Sequence, residues 1–243
     1  MEAAEYARMD ATEDVMWWYR AAHAVLLDAL RRAPGPAGSP VLDAGCGTGG
    51  LLRRLADLPT GRLHAGIDVH PPAARAARRK SGAAVAVASA NQLPFADASV
   101  GVVFSVDVIC HRRVDPLRAL AEAHRCLQPG GTLIVNVPAF HWMMSFHDRE
   151  VHNERRFERG ELRGLLEQAG FVRSTIRYWN CLLFPLMVLR RKLLPAAGGG
   201  SDVAAFPGLA DRLFGAVTAL ERAGARAGLR YPFGGSLLAV AFR

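Results

Sequence analysis

Short apolar runs alternate with amphipathic stretches along most of this chain. Runs that suit strands fall near residues 40–44, 63–68, 83–88, 100–105, 131–137, 171–179 and 236–242. Helical spacing begins near residues 50, 72 and 115, and a further helical pattern covers 158–168. Strands that alternate with helices form parallel sheets covered by helices on both faces. We therefore predict an α/β fold with a doubly wound, mostly parallel, seven-stranded sheet.

The N-terminal part of the chain precedes this repeating unit. Residues 11–32 have an amphipathic helical pattern, with Val15, Trp18, Ala22 and Ala29 on one stripe. We expect this helix to lie across the ligand pocket as a lid.

Two long insertions interrupt the alternation of strands and helices. Residues 138–157 follow the fifth strand, and residues 180–231 precede the last one. Ligands of open parallel sheets bind beyond the carboxyl ends of the strands, so both insertions are expected to border the substrate. The length suits a single domain, 1–243, with a ligand-binding core at 40–137.

A glycine-rich turn, in the sequence VLDAGCGTGG, follows the first predicted strand. Gly45, Gly47 and Gly49 allow positive φ angles and a close approach of the backbone to a ligand. Their spacing is GxGxG rather than the GxGxxG of dinucleotide-binding turns. Asp43 adds a negative charge that would repel a pyrophosphate and hold a cationic amino acid group. S-adenosylmethionine is that kind of ligand.

Further motifs follow this turn in a recognisable order. Together with the turn, the segments Gly66-Ile67-Asp68, Gln92-Leu93-Pro94-Phe95, Val100 to Asp107 and Leu127 to Leu133 resemble the signatures of class I S-adenosylmethionine-dependent methyltransferases. The resemblance implies a Rossmann-like methyltransferase fold, with S-adenosyl-L-methionine as cofactor and S-adenosyl-L-homocysteine as product. It also implies that the Asp68 carboxylate accepts hydrogen bonds from both ribose hydroxyls of the cofactor.

The resemblance further implies a set of cofactor-binding residues. They are Asp43, Gly45, Cys46, Gly47, Asp68, Val69, Ser89, Ala90, Asn91 and Ser105. Two positions depart from the common pattern: Ser89 stands where an Asp usually binds the adenine amino group, and Cys110 where Glu often precedes His111. A hydroxyl accepts that hydrogen bond more weakly than a carboxylate, so we expect a change in cofactor affinity rather than identity.

Segments near both ends of the chain are similar to an actinobacterial-type methyltransferase subgroup. They are residues 17–19, 137–139, 147–157 and 232–237. Members of that subgroup are often encoded beside glycosyltransferase and lipid or polysaccharide genes.

Several histidines lie where a catalytic base is expected. Methyl transfer is an in-line displacement, so an enzyme gains by aligning the acceptor and removing its proton. Histidine is the side chain best suited to that proton transfer. We predict His147 or His152 as the base, with Asp148 orienting it, and His111 as a further candidate. Alternatively, His152 pairs with a neighbouring glutamate and only pins the loop.

Other residues near this cluster are predicted to bind substrate. Arg155 and Arg156 would hold an anionic group of the substrate. His141 is a weaker candidate, and one ring of Trp18 and Tyr19 would cover the sulfonium by a cation–π contact. No metal is expected, since the histidines lack an established ligand spacing and sulfonium alkylation needs none.

The second insertion begins with an apolar segment, Cys181 to Leu189, that ends in the basic residues Arg190, Arg191 and Lys192. This combination suits a membrane interface or a lipid-linked substrate. A lid over an apolar small molecule, or a helix packed on the core or on a second subunit, would have the same pattern. We leave these alternatives open, together with the choice between monomer and homodimer.

Composition and charge narrow the class of protein. The formal net charge is +8, but the arginines are scattered and lack interleaved aromatic residues, so nucleic-acid binding is not expected. The four cysteines show no CxxC spacing and follow no secretory leader, which favours a reducing cytoplasm. No apolar run reaches the roughly 20 residues needed to span a bilayer, so any membrane association would be peripheral.

These observations predict an enzyme that transfers a methyl group from S-adenosylmethionine to an oxygen or nitrogen of a small-molecule or lipid-linked metabolite. A C-methyltransferase is one alternative. Another is a protein of this fold that uses the bound cofactor without transfer, in a cyclisation or rearrangement. A nicotinamide oxidoreductase is disfavoured by the GxGxG spacing.

Overall fold

The computed structural model describes residues 3–145, 148, 152–192 and 208–243. The strands are β1 (Val41–Ala44), β2 (His64–Asp68), β3 (Ala84–Val87), β4 (Val100–Val106), β5 (Leu127–Pro138), β6 (Arg173–Trp179) and β7 (Ser236–Phe242). They form a seven-stranded sheet in the order β3-β2-β1-β4-β5-β7-β6. Strands β1 to β5 pair in parallel, whereas β7 runs antiparallel between β5 and β6. The predicted fold class and mostly parallel sheet are confirmed.

Eight α-helices lie within the described residues. They are α1 (Ala3–Thr12), α2 (Trp17–Arg32), α3 (Gly50–Ala56), α4 (Pro71–Ser81), α5 (Pro116–Cys126), α6 (Arg159–Gln168), α7 (Phe184–Lys192) and α8 (Gly208–Arg226). The predicted starts near 50, 72, 115 and 158 agree with this structure. At α5 the Asp115 carboxylate accepts the backbone N–H of Arg118 at 3.1 Å, and Pro116 takes the first turn.

The central strands are buried on both faces. Leu42, Val103 and Leu133 belong to an apolar cluster that includes residues of α5 and α6. The adjacent residues Val41 and Phe104 point the other way, into a cluster with residues of α2 and α3. This alternation follows from the two-residue period of a strand, and it places helices on both faces of the sheet.

The prediction of one helix over residues 11–32 is wrong at its start. The helix is interrupted after Thr12, where α1 ends, and α2 begins only at Trp17. Within the break Glu13 is 3% exposed and turns inward, while Val15, expected on the buried stripe, is 64% exposed. Periodicity could not reveal this, because an isolated glutamate is ordinarily a surface residue.

The second insertion is fastened to the rest of the fold by carboxylates. Asp28 on α2 accepts hydrogen bonds from Arg222 and Arg226 of α8 at 2.7 Å each. Glu221 of α8 accepts the backbone N–H groups of Cys181 and Leu182, just before α7, at 2.7 and 2.9 Å. These contacts fix α7 relative to the sheet. None of the described helices has the length and apolar character required to cross a bilayer.

Candidate active site

A cavity of about 870 Å³ lies at the carboxyl ends of β1, β2, β4 and β5. The N-terminal helices α1 and α2 contribute Tyr6, Met9 and Trp18 to its wall. Both insertions also border it, through residues such as His152 and Met187. The cavity therefore lies where ligands of open parallel sheets are expected.

The glycine-rich turn forms one end of this cavity with its backbone. Gly45 has φ +97°, and a Cβ atom there would lie 2.3 Å from Cγ2 of Val108. Gly47, also lining the cavity, has φ +54°. The amides of Gly45 and Cys46 both donate to the carbonyl oxygen of Ile67 at 2.8 Å, which holds the turn against β2. A ligand can thus approach main chain that carries no side chain.

Two buried carboxylates lie beside this turn. Asp68 accepts the N–H of Gly47 at 3.0 Å and that of His70 at 2.8 Å. Asp43 is 2% exposed, and among the residues that the structure describes its Oδ1 atom has no hydrogen-bond partner. Burial raises the pKa of Asp43 to about 7, and the negative charges of Asp68 and Glu13 add to the shift. A cationic ligand would offset this cost, since an opposite charge favours the ionised carboxyl.

The first helix covers this end of the cavity, which the sequence did not indicate. The Tyr6 hydroxyl donates to Asp68 Oδ1 at 3.1 Å, and the Tyr6 ring stacks on His70 with centroids 4.3 Å apart. Glu13 accepts from the Thr48 hydroxyl at 2.6 Å and from the N–H of Gly50 at 3.1 Å. The N-terminal segment is therefore tied to the glycine-rich turn.

The predicted cofactor residues are not all on the cavity wall. Asp43, Gly45, Cys46, Gly47, Asp68, Val69, Ser89 and Ala90 line the cavity, whereas Asn91 and Ser105 do not. The Asn91 side chain donates to the carbonyl of Arg113 at 3.1 Å and accepts the N–H of Asp115 at 3.0 Å. Asn91 thus supports the loop between β4 and α5, and Ser105 is buried in β4.

A further carboxylate, Asp107, lies on the wall just after β4. It has φ +53° and accepts a hydrogen bond from the Asn136 side chain at 3.0 Å. Asn136 in turn accepts from the Trp179 indole at 2.7 Å. Burial raises the pKa of Asp107 to about 7, although the Asn136 bond opposes the shift. Sequence reasoning missed this residue, although its place at the end of a central parallel strand was a usable signal.

The predicted histidines occupy different places. His111 and His152 both line the cavity. His141 does not, since its Nε2 atom is 2.9 Å from the Glu161 carboxylate on the surface. His147 lies outside the described residues.

Asp148, Arg155 and Arg156, which were predicted to act beside the histidines, make contacts within the protein around the cavity. Asp148 and Arg156, 1% and 3% exposed, form a bidentate ion pair with four N–O distances between 2.9 and 3.2 Å. Burial opposes ionisation of Asp148, but Arg156 outweighs it and lowers the pKa of that carboxyl. Arg155 is not on the wall; its guanidinium donates to the carbonyls of Ile109, His111 and Val114.

Two aromatic side chains lie next to each other on the wall of this cavity. Trp18 and Tyr19 both line the cavity, and their ring centroids are 5.2 Å apart. Among the residues that the structure describes, no three His, Cys, Asp or Glu side chains are grouped to hold a metal ion.

The order of the sheet, the GxGxG turn and the two carboxylates beside it define the class of protein. Residues 42–135 match the family model of the methyltransferase domain. Over these residues the chain is similar to that methyltransferase domain, and its fold is that of class I S-adenosylmethionine-dependent methyltransferases.

Curated relatives resemble this chain over part of their length. A protein of Mycolicibacterium smegmatis named probable S-adenosylmethionine-dependent methyltransferase is 35% identical over 159 residues, which are 64% of this chain and 59% of the relative. Dimethylglycine N-methyltransferase of Parasynechococcus marenigrum is 38% identical over 112 residues, 43% of this chain and 39% of the relative. The chain thus spans less than two thirds of either relative.

Solved structures share the fold over nearly the whole chain. A putative methyltransferase in complex with the Trm112 activator of Haloferax volcanii has a TM-score of 0.63 and 26% identity, covering 98% of this chain and 94% of its own. Geranyl diphosphate C-methyltransferase of Streptomyces coelicolor has a TM-score of 0.61 and 17% identity over 93% and 76%. The [4+2]-cyclase SpnF has a TM-score of 0.59 and 20% identity over 93% and 82%. The last two likenesses concern the fold alone.

Proposed function

We propose that this protein transfers the methyl group of S-adenosylmethionine to an oxygen or nitrogen atom of a small-molecule acceptor. One observation carries the proposal: the glycine-rich turn with its two carboxylates and a set of proton-accepting side chains line the same cavity. That set comprises Asp107, His111 and His152. A cavity of about 870 Å³ accommodates a nucleoside cofactor and a second small molecule together.

The cofactor, when bound, supplies an electrophilic methyl carbon on a sulfonium. In the proposed assignment Asp43 faces the cationic part of that ligand, and Asp68 accepts hydrogen bonds from its ribose. The acceptor atom forms a bond to carbon as the carbon–sulfur bond breaks, and the acceptor loses a proton if it carries one. His152 is our first choice to receive that proton. The alternatives are His111 and Asp107; burial raises the pKa of Asp107 to about 7, which suits a base for this step.

The relative that is named a dimethylglycine N-methyltransferase supports a nitrogen acceptor, although the chain spans only 39% of it. A lipid-linked acceptor remains within the proposal, because apolar side chains of α7 reach the cavity.

The test uses cofactor labelled in its methyl group and a panel of small-molecule amines, alcohols and carboxylic acids, with product masses as the readout. A gain of one labelled methyl together with release of S-adenosylhomocysteine is expected. Products of unchanged mass that form only with bound cofactor would instead indicate a cyclisation or rearrangement. Label on carbon would indicate a C-methyltransferase.

Variants then assign the base. His152→Ala and Asp107→Asn are expected to slow turnover by roughly a hundredfold for the true base and to leave cofactor binding intact, as measured by calorimetry. His141→Ala is the matched control, since His141 pairs with Glu161 away from the cavity. If His152→Ala and Asp107→Asn both lose the cofactor, the division between cofactor and acceptor residues is wrong.

A further inference from the structure

We propose that the acceptor is an amphipathic anion, in which a hydrocarbon body carries a phosphate or carboxylate group. This inference rests on the proposed function, because it describes the acceptor side of the same cavity. The observation that carries it is the composition of one face of α7.

Five residues of the α7 segment line the cavity, and they share one helical face. They are Leu183, Leu186, Met187, Arg190 and Arg191. Their spacing is i, i+3, i+4, i+7 and i+8, which places them on a single stripe of a helix. At 1.5 Å per residue the stripe runs about 12 Å, with apolar side chains in its first half and guanidinium groups in its last turn. Such a wall matches a ligand that is apolar at one end and anionic at the other.

The remaining residues of α7 show that only some of its side chains line the cavity. Leu189 and Lys192 belong to the same helix and do not line the cavity. Leu186 and Leu189 have nearly the same exposure, 48% and 43%, so the difference between them is direction rather than burial. The apolar and basic residues that line the cavity are therefore those on one face of the helix, and residues of the same types on its other faces do not line it.

The start of α7 is held firmly, so this face is a fixed part of the wall. Glu221 binds the backbone N–H groups of Cys181 and Leu182. Phe184, at the first turn, packs on Phe140 and Phe233 with centroids 5.4 and 5.7 Å apart. The first turn of α7 is therefore anchored to the rest of the fold.

The charges around the cavity are divided between its ends. Glu13, Asp43 and Asp68 lie beside the glycine-rich turn, and together they suit a cationic cofactor. On the insertion side the ion pair of Asp148 and Arg156 is already matched, and Arg191 acts electrostatically on both members of it. Arg190 and Arg191 lie on the part of the wall that the first insertion borders.

Two further arginines reach the same cavity from the loop after β4. Arg112 and Arg113 are exposed and line the wall. Within the part of the chain that the structure describes, neither guanidinium makes a hydrogen bond or an ion pair. An anion entering the cavity thus meets guanidinium groups from two separate elements. Arginine binds phosphate and carboxylate well because its planar fork donates two parallel hydrogen bonds.

The experiment measures binding of defined probes to the full chain by intrinsic tryptophan fluorescence, below the probes' micelle concentration, with and without S-adenosylhomocysteine. The probes are decyl phosphate, decanol, decyltrimethylammonium and inorganic phosphate. We expect decyl phosphate to bind at least about tenfold more tightly than each of the others, since it alone matches both halves of the stripe.

Two matched pairs of variants locate the site. The double variant Arg190→Gln, Arg191→Gln should weaken decyl phosphate by about tenfold or more and leave decanol unchanged. The double variant Lys192→Gln, Arg230→Gln makes the same change in net charge away from the cavity and should behave as wild type. Leu186→Gln should weaken decyl phosphate and decanol alike, whereas Leu189→Gln should weaken neither.

The source of the anion is distinguished with vesicles of phosphatidylglycerol and phosphatidylcholine. If the wild-type protein sediments with these vesicles and the Arg190→Gln, Arg191→Gln double variant does not, the source is a membrane lipid headgroup. Decyl phosphate binding without such sedimentation would support a monomeric acceptor.

Equal binding of decyl phosphate, decanol and decyltrimethylammonium would overturn the inference, as would equal binding by the two double variants. Failure of the proposed function is recorded separately, by titration of the same samples with S-adenosylhomocysteine. A protein that binds decyl phosphate through Arg190 and Arg191 but not S-adenosylhomocysteine would refute the cofactor site and leave the anion site standing.

Discussion

Replacement of Asp43 by asparagine should stabilise the cofactor-free protein at alkaline pH while weakening its binding of S-adenosylmethionine. Asp43 is almost completely buried, its Oδ1 atom has no hydrogen-bond partner within the described part of the chain, and burial raises its pKa to about 7. In the unfolded chain the carboxyl would have its ordinary pKa, 3.8. The folded protein therefore binds more protons than the unfolded chain between those two values. It follows that the free energy of unfolding falls as pH rises from about 4 to about 7.

The size of this effect follows from the pKa difference. About three pKa units, at 1.36 kcal/mol each, correspond to about 4 kcal/mol above pH 7, of which about 2–3 kcal/mol arises between pH 5 and pH 8. Asparagine carries no charge, so this pH-dependent cost disappears. Its own buried amide adds a pH-independent penalty of about 1–3 kcal/mol if it stays unpaired.

The assay is urea unfolding of wild type and Asp43→Asn at pH 5 and pH 8, without cofactor. The stability difference between the two proteins should shift by about 2–3 kcal/mol in favour of the variant at the higher pH, which is a relative shift in Tm of roughly 5–10 °C. Asp57→Asn, at an exposed carboxyl near the end of α3, is the control.

Calorimetry on the same proteins tests the role of the charge in binding. Affinity of wild type for S-adenosylmethionine should rise with pH through about 7, and the Asp43→Asn variant should bind at least about tenfold more weakly at pH 8. A stability difference that is the same at pH 5 and pH 8 would refute the reasoning, since the destabilisation would then not come from ionisation of Asp43.

Two other substitutions test the turn and the insertion. Gly47→Val should weaken cofactor binding by more than about a hundredfold in calorimetry, because a β-branched residue is strained at φ +54° and its side chain enters the cavity. Gly38→Val, at φ +71° with open space around it, should keep full binding, and equal loss in both would point to backbone strain alone. Asp148→Asn should lower the free energy of unfolding by about 3–5 kcal/mol, because it leaves the Arg156 charge buried without its partner. Asp97→Asn, which removes the exposed partner of a surface ion pair, should cost less than about 1 kcal/mol in the same urea experiment, and similar losses in both would contradict the role given to burial.

The sequence by itself determined the sheet, the helices on its two faces and the glycine-rich turn at one end of the cavity. These features depend on local physics. A strand and a helix have different hydrophobic periods, and a turn such as Gly45 to Gly49 requires residues without a Cβ. The positions of Asp43 and Asp68 could be predicted because each lies near the end of a parallel strand.

Only the tertiary structure decided which polar residues face the cavity. The sequence predicted that Asp148 orients a histidine and that Arg156 binds an anionic group of the substrate, whereas in the fold the two side chains are buried together and form an ion pair. Glu13 and Asp107 looked unremarkable, yet the fold turns the first onto the glycine-rich turn and the second into the cavity.

The physical reason is that hydrogen-bond partners of a buried charge come from distant parts of the chain. Glu13 meets Thr48, and Asp107 meets Asn136, at separations of 35 and 29 residues. Neither the hydrophobic period nor the turn residues of the sequence predict such pairings. They arise when packing removes water and each buried polar group must find a partner within reach.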